Sequence, residues 1–211
     1  MAKHGNRSVS SKCGSFDVLE ELGVNIEMSP EKAAGCLEKL GITALYARTY
    51  HPAMKSIAPV RKELGIKTVF NNIGPLLNPA KVTHQLIGVG KANMVEPTGE
   101  LAMALGLQQA VVVHSDDGLD EVSVSAPTTC YMYSQGAGMQ KEIIEPKQVY
   151  DMVEIQISSV EEGAERFRRI LRGEGTEAEN ECIALNAGVA LFAAGVVQDV
   201  HEGRQKALNI I

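Results

Sequence analysis

The sequence predicts an α/β fold, on three observations. Short β-favouring runs at 42–47, 67–70, 85–89 and 110–114 alternate with stretches of helical periodicity, the pattern expected of strands joined by helices. The last third, from Val160 onward, has helical patterning almost throughout. With 45% hydrophobic residues in a chain of 211, there is enough apolar side chain for a substantial core.

The first helix follows a basic, serine-rich opening. Phe16 to Leu22 carries apolar residues at helical spacing, with Ser15 as expected N-cap and Gly23 as stop. A second helix runs from Ser29-Pro30-Glu31 to about Leu40, capped by Ser29 and ended by Gly41, with Ala33, Cys36, Leu37 and Leu40 as its apolar stripe. Ile42 to Ala47 is an expected strand. Tyr50 to Gly65 reads as helix, with Pro59 as the point where it would kink or restart. On its wheel Met54, Ile57, Ala58, Val60 and Leu64 form the apolar arc, and Arg61 falls inside that arc. An inward arginine needs an anionic partner.

Lys67 to Phe70 is expected as a strand, leading into the apolar loop Asn71 to Pro79. Then follow a strand at Gln85–Val89, a helix at Asn93–Leu105 and a strand at Ala110–His114 that runs into the acidic turn Asp116-Asp117-Gly118-Leu119-Asp120-Glu121. Acids at the end of a buried strand are well placed for a ligand, because open α/β sheets bind along that rim. Thr128–Ser134 and Glu142–Glu145 read as a hairpin around Gln135-Gly136-Ala137-Gly138. Helices are expected at Val160–Arg172, Glu177–Gly195 and His201–Leu208.

Composition excludes several classes of function. A net charge of −6 argues against general nucleic-acid binding. Cys13, Cys36, Cys130 and Cys182 lie far apart, with no C-x-x-C pair, so neither a zinc site nor a disulfide framework is indicated. Reduced thiols in the cytoplasm are expected. The apolar run Cys182–Val197 is interrupted by Asn186 and two glycines, and falls short of the roughly 20 residues a membrane span needs. A buried core helix is the expectation.

The chemistry concentrates in Lys3 to Ser15, where four basic-capable side chains, four serines and two glycines occupy thirteen residues without an acid until Asp17. Glycines allow close backbone approach, and N–H groups, hydroxyls and the charges of Lys3, Arg7 and Lys12 suit phosphate oxygens. The stretch matches neither common phosphate-loop pattern, and a solvated arm is the alternative on composition alone.

Lys3-His4-Gly5-Asn6-Arg7-Ser8-Val9-Ser10-Ser11, followed by Gly14-Ser15-x-Asp17-Val18-Leu19-Glu20-x-Leu22-Gly23, resembles the signature of the anthranilate phosphoribosyltransferase family. His51-Pro52-Ala53-Met54-Lys55, Ala58-Pro59-Val60-Arg61-x-x-Leu64-Gly65 and Thr68-x-Phe70-Asn71-x-x-Gly74-Pro75-Leu76-x-Asn78-Pro79 are similar to its second block, and Asp117-Gly118-Leu119-Asp120-Glu121 to its third. The resemblance continues through Leu185–Gly195. It implies one domain, 1–211, of the glycosyltransferase family 3 α/β type shared with nucleoside phosphorylases, with a mixed central sheet flanked by helices. It implies transfer of a phosphoribosyl group from phosphoribosyl pyrophosphate to the amine of anthranilate, in tryptophan biosynthesis.

Residue by residue, the resemblance puts phosphoribosyl pyrophosphate on Lys3, His4, Gly5, Asn6, Arg7, Ser8, Val9, Ser10, Ser11 and Ser15. It puts anthranilate on Asn6 and Arg61, and Mg2+ on Asp120 and Glu121. His51, His84, His114 and His201 carry no catalytic expectation. The family's upstream Gly-Thr-Gly-Gly-Asp loop and helical domain, through which it forms homodimers, do not occur here, so the chain is expected to be a fragment of weak or no activity, truncated also at its C-terminus. Phe16, where the family has a small residue, is expected to crowd the packing beneath the loop. A pyrimidine nucleoside phosphorylase is disfavoured by Asn6-Arg7 and the Arg61 block, and a non-catalytic anion- or nucleotide-binding relative remains the rival.

Overall fold

The computed structural model describes residues 1–8, 13–65 and 73–211, with the side chains of residues 55, 58, 61 and 62 outside that description. The chain divides into two compact units, Met1–Val82 with Ile157–Glu165, and Thr83–Gln156 with Arg166–Ile211. The first contains β1 (Ala2–Gly5), α1 (Ser15–Glu21), α2 (Pro30–Leu40), β2 (Thr43–Tyr46), α3 (Ala47–Tyr50), α4 (Met54–Leu64) and a 3-10 turn at Gly74–Leu77. The second contains β3 (His84–Gly88), α5 (Val95–Ala104), β4 (Gln109–Ser115), β5 (Thr128–Ser134), β6 (Gly138–Ile144), α6 (Met152–Ile155), α8 (Glu177–Ala193) and α9 (Val200–Leu208). Helix α7 (Val160–Leu171) spans the division.

In the first unit β1 and β2 pair in parallel, Lys3 opposite Ala44 and Gly5 opposite Tyr46. The sequence reading gave the opening residues no strand. Period-two alternation divides β2 between two faces. Ala44 and Tyr46 pack with Phe16 and Ile26 in a small core, whereas Thr43 and Leu45 line a shallow apolar pocket with Ala33 and Leu37 of α2. Ser29 accepts the Lys32 amide and Gly41 ends α2 at φ 74°, as expected. The apolar stripe of α2 is shorter than predicted, since Leu40 is 71% exposed. In α4 the helix continues through Pro59, but Val60 and Leu64, placed in the apolar arc by the wheel, are both exposed. The expected strand Lys67–Phe70 lies outside the described residues.

In the second unit the sheet order is β3-β4-β5-β6, with β3 parallel to β4 and the other pairs antiparallel. The sheet is thus mixed, and helices flank it. Strand β4 is buried from Ala110 to Val113, a consecutive apolar run that fits an inner strand covered on both faces. Val111 and Val113 join Val122, Val124, Cys130, Leu185 and Val189 in the main core. Helix α5 crosses β5 where Gly99 leaves room, because a Cβ there would lie 1.9 Å from the Tyr133 ring. The hairpin β5–β6 turns at the residues the sequence indicated, with Gly136 and Gly138 at positive φ.

The expected buried C-terminal helix is α8, which meets α9 at a pair of glycines. A Cβ on Gly188 would come within 2.6 Å of the Arg204 amide nitrogen, and one on Gly203 within 2.6 Å of the Gly188 carbonyl oxygen. The helix also buries two acids. Glu181 is held by the Arg204 guanidinium, whose Nε donates at 2.7 Å. Glu179, 4% exposed, accepts from Arg166, Arg169 and the Thr176 amide. Burial works to raise the Glu179 carboxyl, but the Thr176 amide and the two arginines outweigh it and hold it below the ordinary carboxylate range.

This packing makes two residues sensitive to small changes. Gly188→Ala should destabilise by about 1–3 kcal/mol, because overpacking against backbone outweighs the roughly 1 kcal/mol by which alanine favours a helix. Thermal unfolding reads that as a fall in Tm. Glu179→Gln should cost about 1–3 kcal/mol at pH 7. Because the folded carboxyl titrates below its ordinary 4.5, its stabilisation is complete above that pH and is lost as pH falls through the depressed value. Wild type and variant should therefore converge in acid unfolding.

Candidate active site

The candidate site in the first unit is built on the junction of β1 and α1. Parallel register puts Lys3 and Gly5 on the face that carries Ala44, Tyr46 and Phe16, and His4 on the opposite face with Leu45. Phe16 is 1% exposed, and its ring lies where a Gly5 side chain would stand, 2.7 Å from an added Cβ. The expected crowding is relieved in this way: the strand's glycine makes room for the helix's aromatic ring. Lys3 and Asn6 are exposed at the surface.

Between β1 and α1 one carboxylate holds Ser8 and Gly14. Asp17 Oδ2 accepts the amide of Ser8 at 2.9 Å and that of Gly14 at 2.9 Å. Gly14 closes so near to Ser8 that a Cβ on it would lie 3.3 Å from the Ser8 nitrogen. Gly14 is the N-cap of α1 and Ser15 is its first helical residue, not its cap. Asp17, three residues on, accepts the Gly14 amide, as the third-position acid of a capping box does. Ser15 is exposed beside the loop. Val9, Ser10 and Ser11 lie outside the described residues. Cys13 follows them, its thiol pushed up by burial and by the charges of Asp17 and Glu161, so it is a neutral thiol.

Arg7, expected among the phosphate-binding residues, is paired within the protein. Its Nε and Nη2 form a bidentate pair with Glu20 at 2.9 and 2.7 Å, Nη2 also reaches Glu27 at 2.9 Å, and Nη1 donates to the Tyr46 hydroxyl at 2.6 Å. The guanidinium carbon stands 4.9 Å from the Tyr46 ring centroid. Glu20 and Glu27 raise the guanidinium further, and Arg7 in turn depresses Glu20.

His4 meets His51, a histidine for which the sequence carries no catalytic expectation. His4 Nε2 and His51 Nε2 are 3.1 Å apart, with the rings edge to face. Burial and the neighbouring His51 lower the His4 pKa against a hydrogen bond with the Gly74 backbone. The available signal was the position of His51 at the head of its own motif. Arg61 belongs to α4, but its side chain lies outside the described residues.

In the second unit the acidic turn after β4 is fixed from beneath. Gly118 takes φ 93° and its amide donates to the Ser115 carbonyl at 2.9 Å. Asp117 accepts the Ser123 hydroxyl, and donors from Ser123 and Ser115 outweigh burial to keep its carboxyl below the usual range. Asn186 of α8 takes both backbone groups of Val122, accepting its N–H at 2.9 Å and donating to its C=O at 2.8 Å. A Cβ on Gly88 would lie 1.6 Å from the Asp120 carbonyl oxygen, so only glycine lets the turn settle on β3. Asp120 and Glu121 stand exposed on this base.

Among the described residues no group of three or more His, Cys, Asp or Glu side chains is arranged to hold a metal ion. Two exposed carboxylates on a rigid turn nevertheless fit Mg2+, which is commonly held by one or two carboxylates together with substrate phosphates. No helix among the described residues is long and apolar enough to cross a membrane.

Comparison with known proteins places this geometry. The family described as "Glycosyl transferase family, a/b domain" matches residues 1–211. Anthranilate phosphoribosyltransferase of Herpetosiphon aurantiacus is 42% identical over 215 residues, spanning 100% of this chain and 64% of that protein. The enzyme of the same name from Pyrococcus furiosus is 41% identical over 214 residues, spanning 100% and 65%. The crystal structure of anthranilate phosphoribosyltransferase from Thermus thermophilus superposes with a TM-score of 0.90 at 37% identity, over 99% of this chain and 63% of that one. The Saccharomyces cerevisiae enzyme in complex with PRPP and Mg gives 0.86 at 26% identity, over 100% and 60%. The chain therefore spans somewhat less than two thirds of the length of these relatives.

The contact between Gly5 and Phe16 can be tested by a double-mutant cycle. Gly5→Ala should destabilise by about 1–3 kcal/mol, and the same change made together with Phe16→Leu should cost less than the sum of the two singles. Urea unfolding midpoints at constant slope provide the measurement.

Proposed function

From the chain's membership of the glycosyltransferase family whose α/β domain it matches from end to end, we infer that it serves transfer of a phosphoribosyl group from phosphoribosyl pyrophosphate to the amino group of anthranilate, as in tryptophan biosynthesis. The observation that carries this reading is the serine-rich loop pinned at Ser8 and Gly14 to the start of a helix. In sequence that stretch carries serine hydroxyls and backbone amides, donors suited to phosphate oxygens.

In the reaction the bond from ribose C1 to the pyrophosphate oxygen breaks, its electron pair leaving with pyrophosphate. A new bond forms from the amine lone pair to C1, and the nitrogen then gives up a proton to solvent. Positive charge develops on the sugar and negative charge on the leaving group, so holding pyrophosphate is the main demand on the protein. Lys3, Ser8, Val9, Ser10, Ser11 and Ser15, with the backbone of Gly5, are assigned to that anion. Magnesium, when bound, supplies positive charge to the leaving group, and Asp120 and Glu121 are the residues that would hold it. Asn6 and Arg61 are assigned to anthranilate, Arg61 through a bidentate pair with its carboxylate. His4 with His51 bounds the opposite face of β1. An aniline nitrogen attacks while neutral, so positioning matters more than proton abstraction.

The test is calorimetric titration of phosphoribosyl pyrophosphate into the purified chain with and without magnesium, then of anthranilate into the same cell. Saturable, magnesium-dependent binding is expected, and Asp120→Asn with Glu121→Gln should weaken it by about tenfold or more, the equivalent of one charge-assisted contact. Magnesium-independent binding would favour a non-catalytic anion-binding relative. A folded chain that binds nothing would overturn the reading for this chain.

A further inference from the structure

Arg7 sits in the middle of the basic stretch, yet most of its donors already have partners. Four contacts, two to Glu20, one to Glu27 and one to the Tyr46 hydroxyl, take four of its five N–H donors. One positive group thus faces two carboxylates, and the cluster as a whole is negative. A pyrophosphate oxygen approaching it meets repulsion, and drawing Arg7 away would leave Glu20 and Glu27 unpaired beside a phenol. The pairing therefore works against recruitment of Arg7 by an anion.

Its location shows what it holds. Asp17 and Glu20 lie three residues apart on α1, neighbours on one face of the helix. Asp17 takes the amides of Ser8 and Gly14, and Glu20 takes the side chain of the residue immediately before Ser8. One helix face therefore grips residue 7 by its side chain and residues 8 and 14 by their backbones. Glu27, beyond the end of α1, adds a third anchor, and stacking on Tyr46 ties the same guanidinium to β2.

We propose that Arg7 is a positioning residue that, paired with Glu20, locks residues 7 and 8 onto α1, and that it is not itself a ligand of the phosphate. The proposal refines the functional reading above and rests on it only for the choice of ligand. It makes Glu20, an acid in the middle of an anion-binding region, as necessary to anion binding as the arginine beside it.

A cycle of Arg7→Gln, Glu20→Gln and the double variant separates the possibilities, measured well below the unfolding transition. Two readouts are used: affinity for phosphoribosyl pyrophosphate with magnesium by calorimetry, and hydrogen exchange at the Ser8 and Gly14 amides. Each single change should raise Kd by about tenfold, the double should be no worse than either single, and both amides should exchange faster in all three. Loss of affinity in Arg7→Gln with unchanged or tighter binding in Glu20→Gln would make Arg7 a phosphate ligand and overturn the proposal. A lowered Tm with affinity and exchange unchanged would reduce the cluster to a surface ion pair and overturn it as well. If the wild-type chain binds no phosphoribosyl pyrophosphate, the functional reading fails for this chain while exchange still decides the proposal: acceleration in both single variants supports it, and unaltered protection refutes it.

Discussion

The carboxylate of Asp17 accepts two backbone amides, those of Ser8 and Gly14, that are six residues apart in the chain. The placement of Ser8 and Gly14 against α1 depends on that convergence. A backbone amide at a loop's end must find an acceptor or water, and here both ends share one acceptor on the first turn of α1. Ser8 and Gly14, on either side of the serine-bearing stretch, are thereby held to the same point of α1. The same carboxylate closes the first turn of α1 by taking the amide of its N-cap residue, Gly14.

That arrangement needs α1 to sit close against β1, and the apolar contacts beneath provide for it. Phe16 is the largest fully buried side chain of the first unit's small core. It reaches that position over Gly5, the one residue type that leaves space for a ring at that distance. Tyr46 then serves twice, packing against Phe16 with one part of its ring system and receiving Arg7 through its hydroxyl and ring face. Apolar burial sets the helix in place, and the ion pairs above it, individually modest at a surface, determine how the loop leaves the strand.

The second unit fixes its acidic turn by comparable means. Gly88 admits the Asp120 carbonyl, Asn186 satisfies both backbone groups of Val122, and Ser123 with Asp117 closes the turn between them. Two exposed carboxylates would repel each other and drift on a flexible loop. On this base their backbone is held in place. Buried acids elsewhere, Glu179 and Glu181 of α8, are matched by arginines, so α8 carries Asn186 on a rigid support.

Much of this was legible in the sequence. Periodicity, caps and glycine stops located α2, α5, α7, α8 and the β5–β6 hairpin to within a few residues, because these signals are local and each element satisfies its own backbone. The motifs of the resemblance brought out Lys3 to Ser15, Arg61, Asp120 and Glu121 as a set. What only the tertiary structure decided were the pairings between distant residues: β1 as a strand, which exists only because residues 43–46 lie alongside it; His4 with His51; and Arg7 with Glu20, Glu27 and Tyr46. Exposure of Val60 and Leu64 likewise escaped the helical wheel, since periodicity shows which residues share a face but not whether anything covers it. A sequence determines which groups a chain can offer a ligand. Which of them remain available depends on what each side chain has already met in the fold, and for Arg7 that was two carboxylates and a phenol.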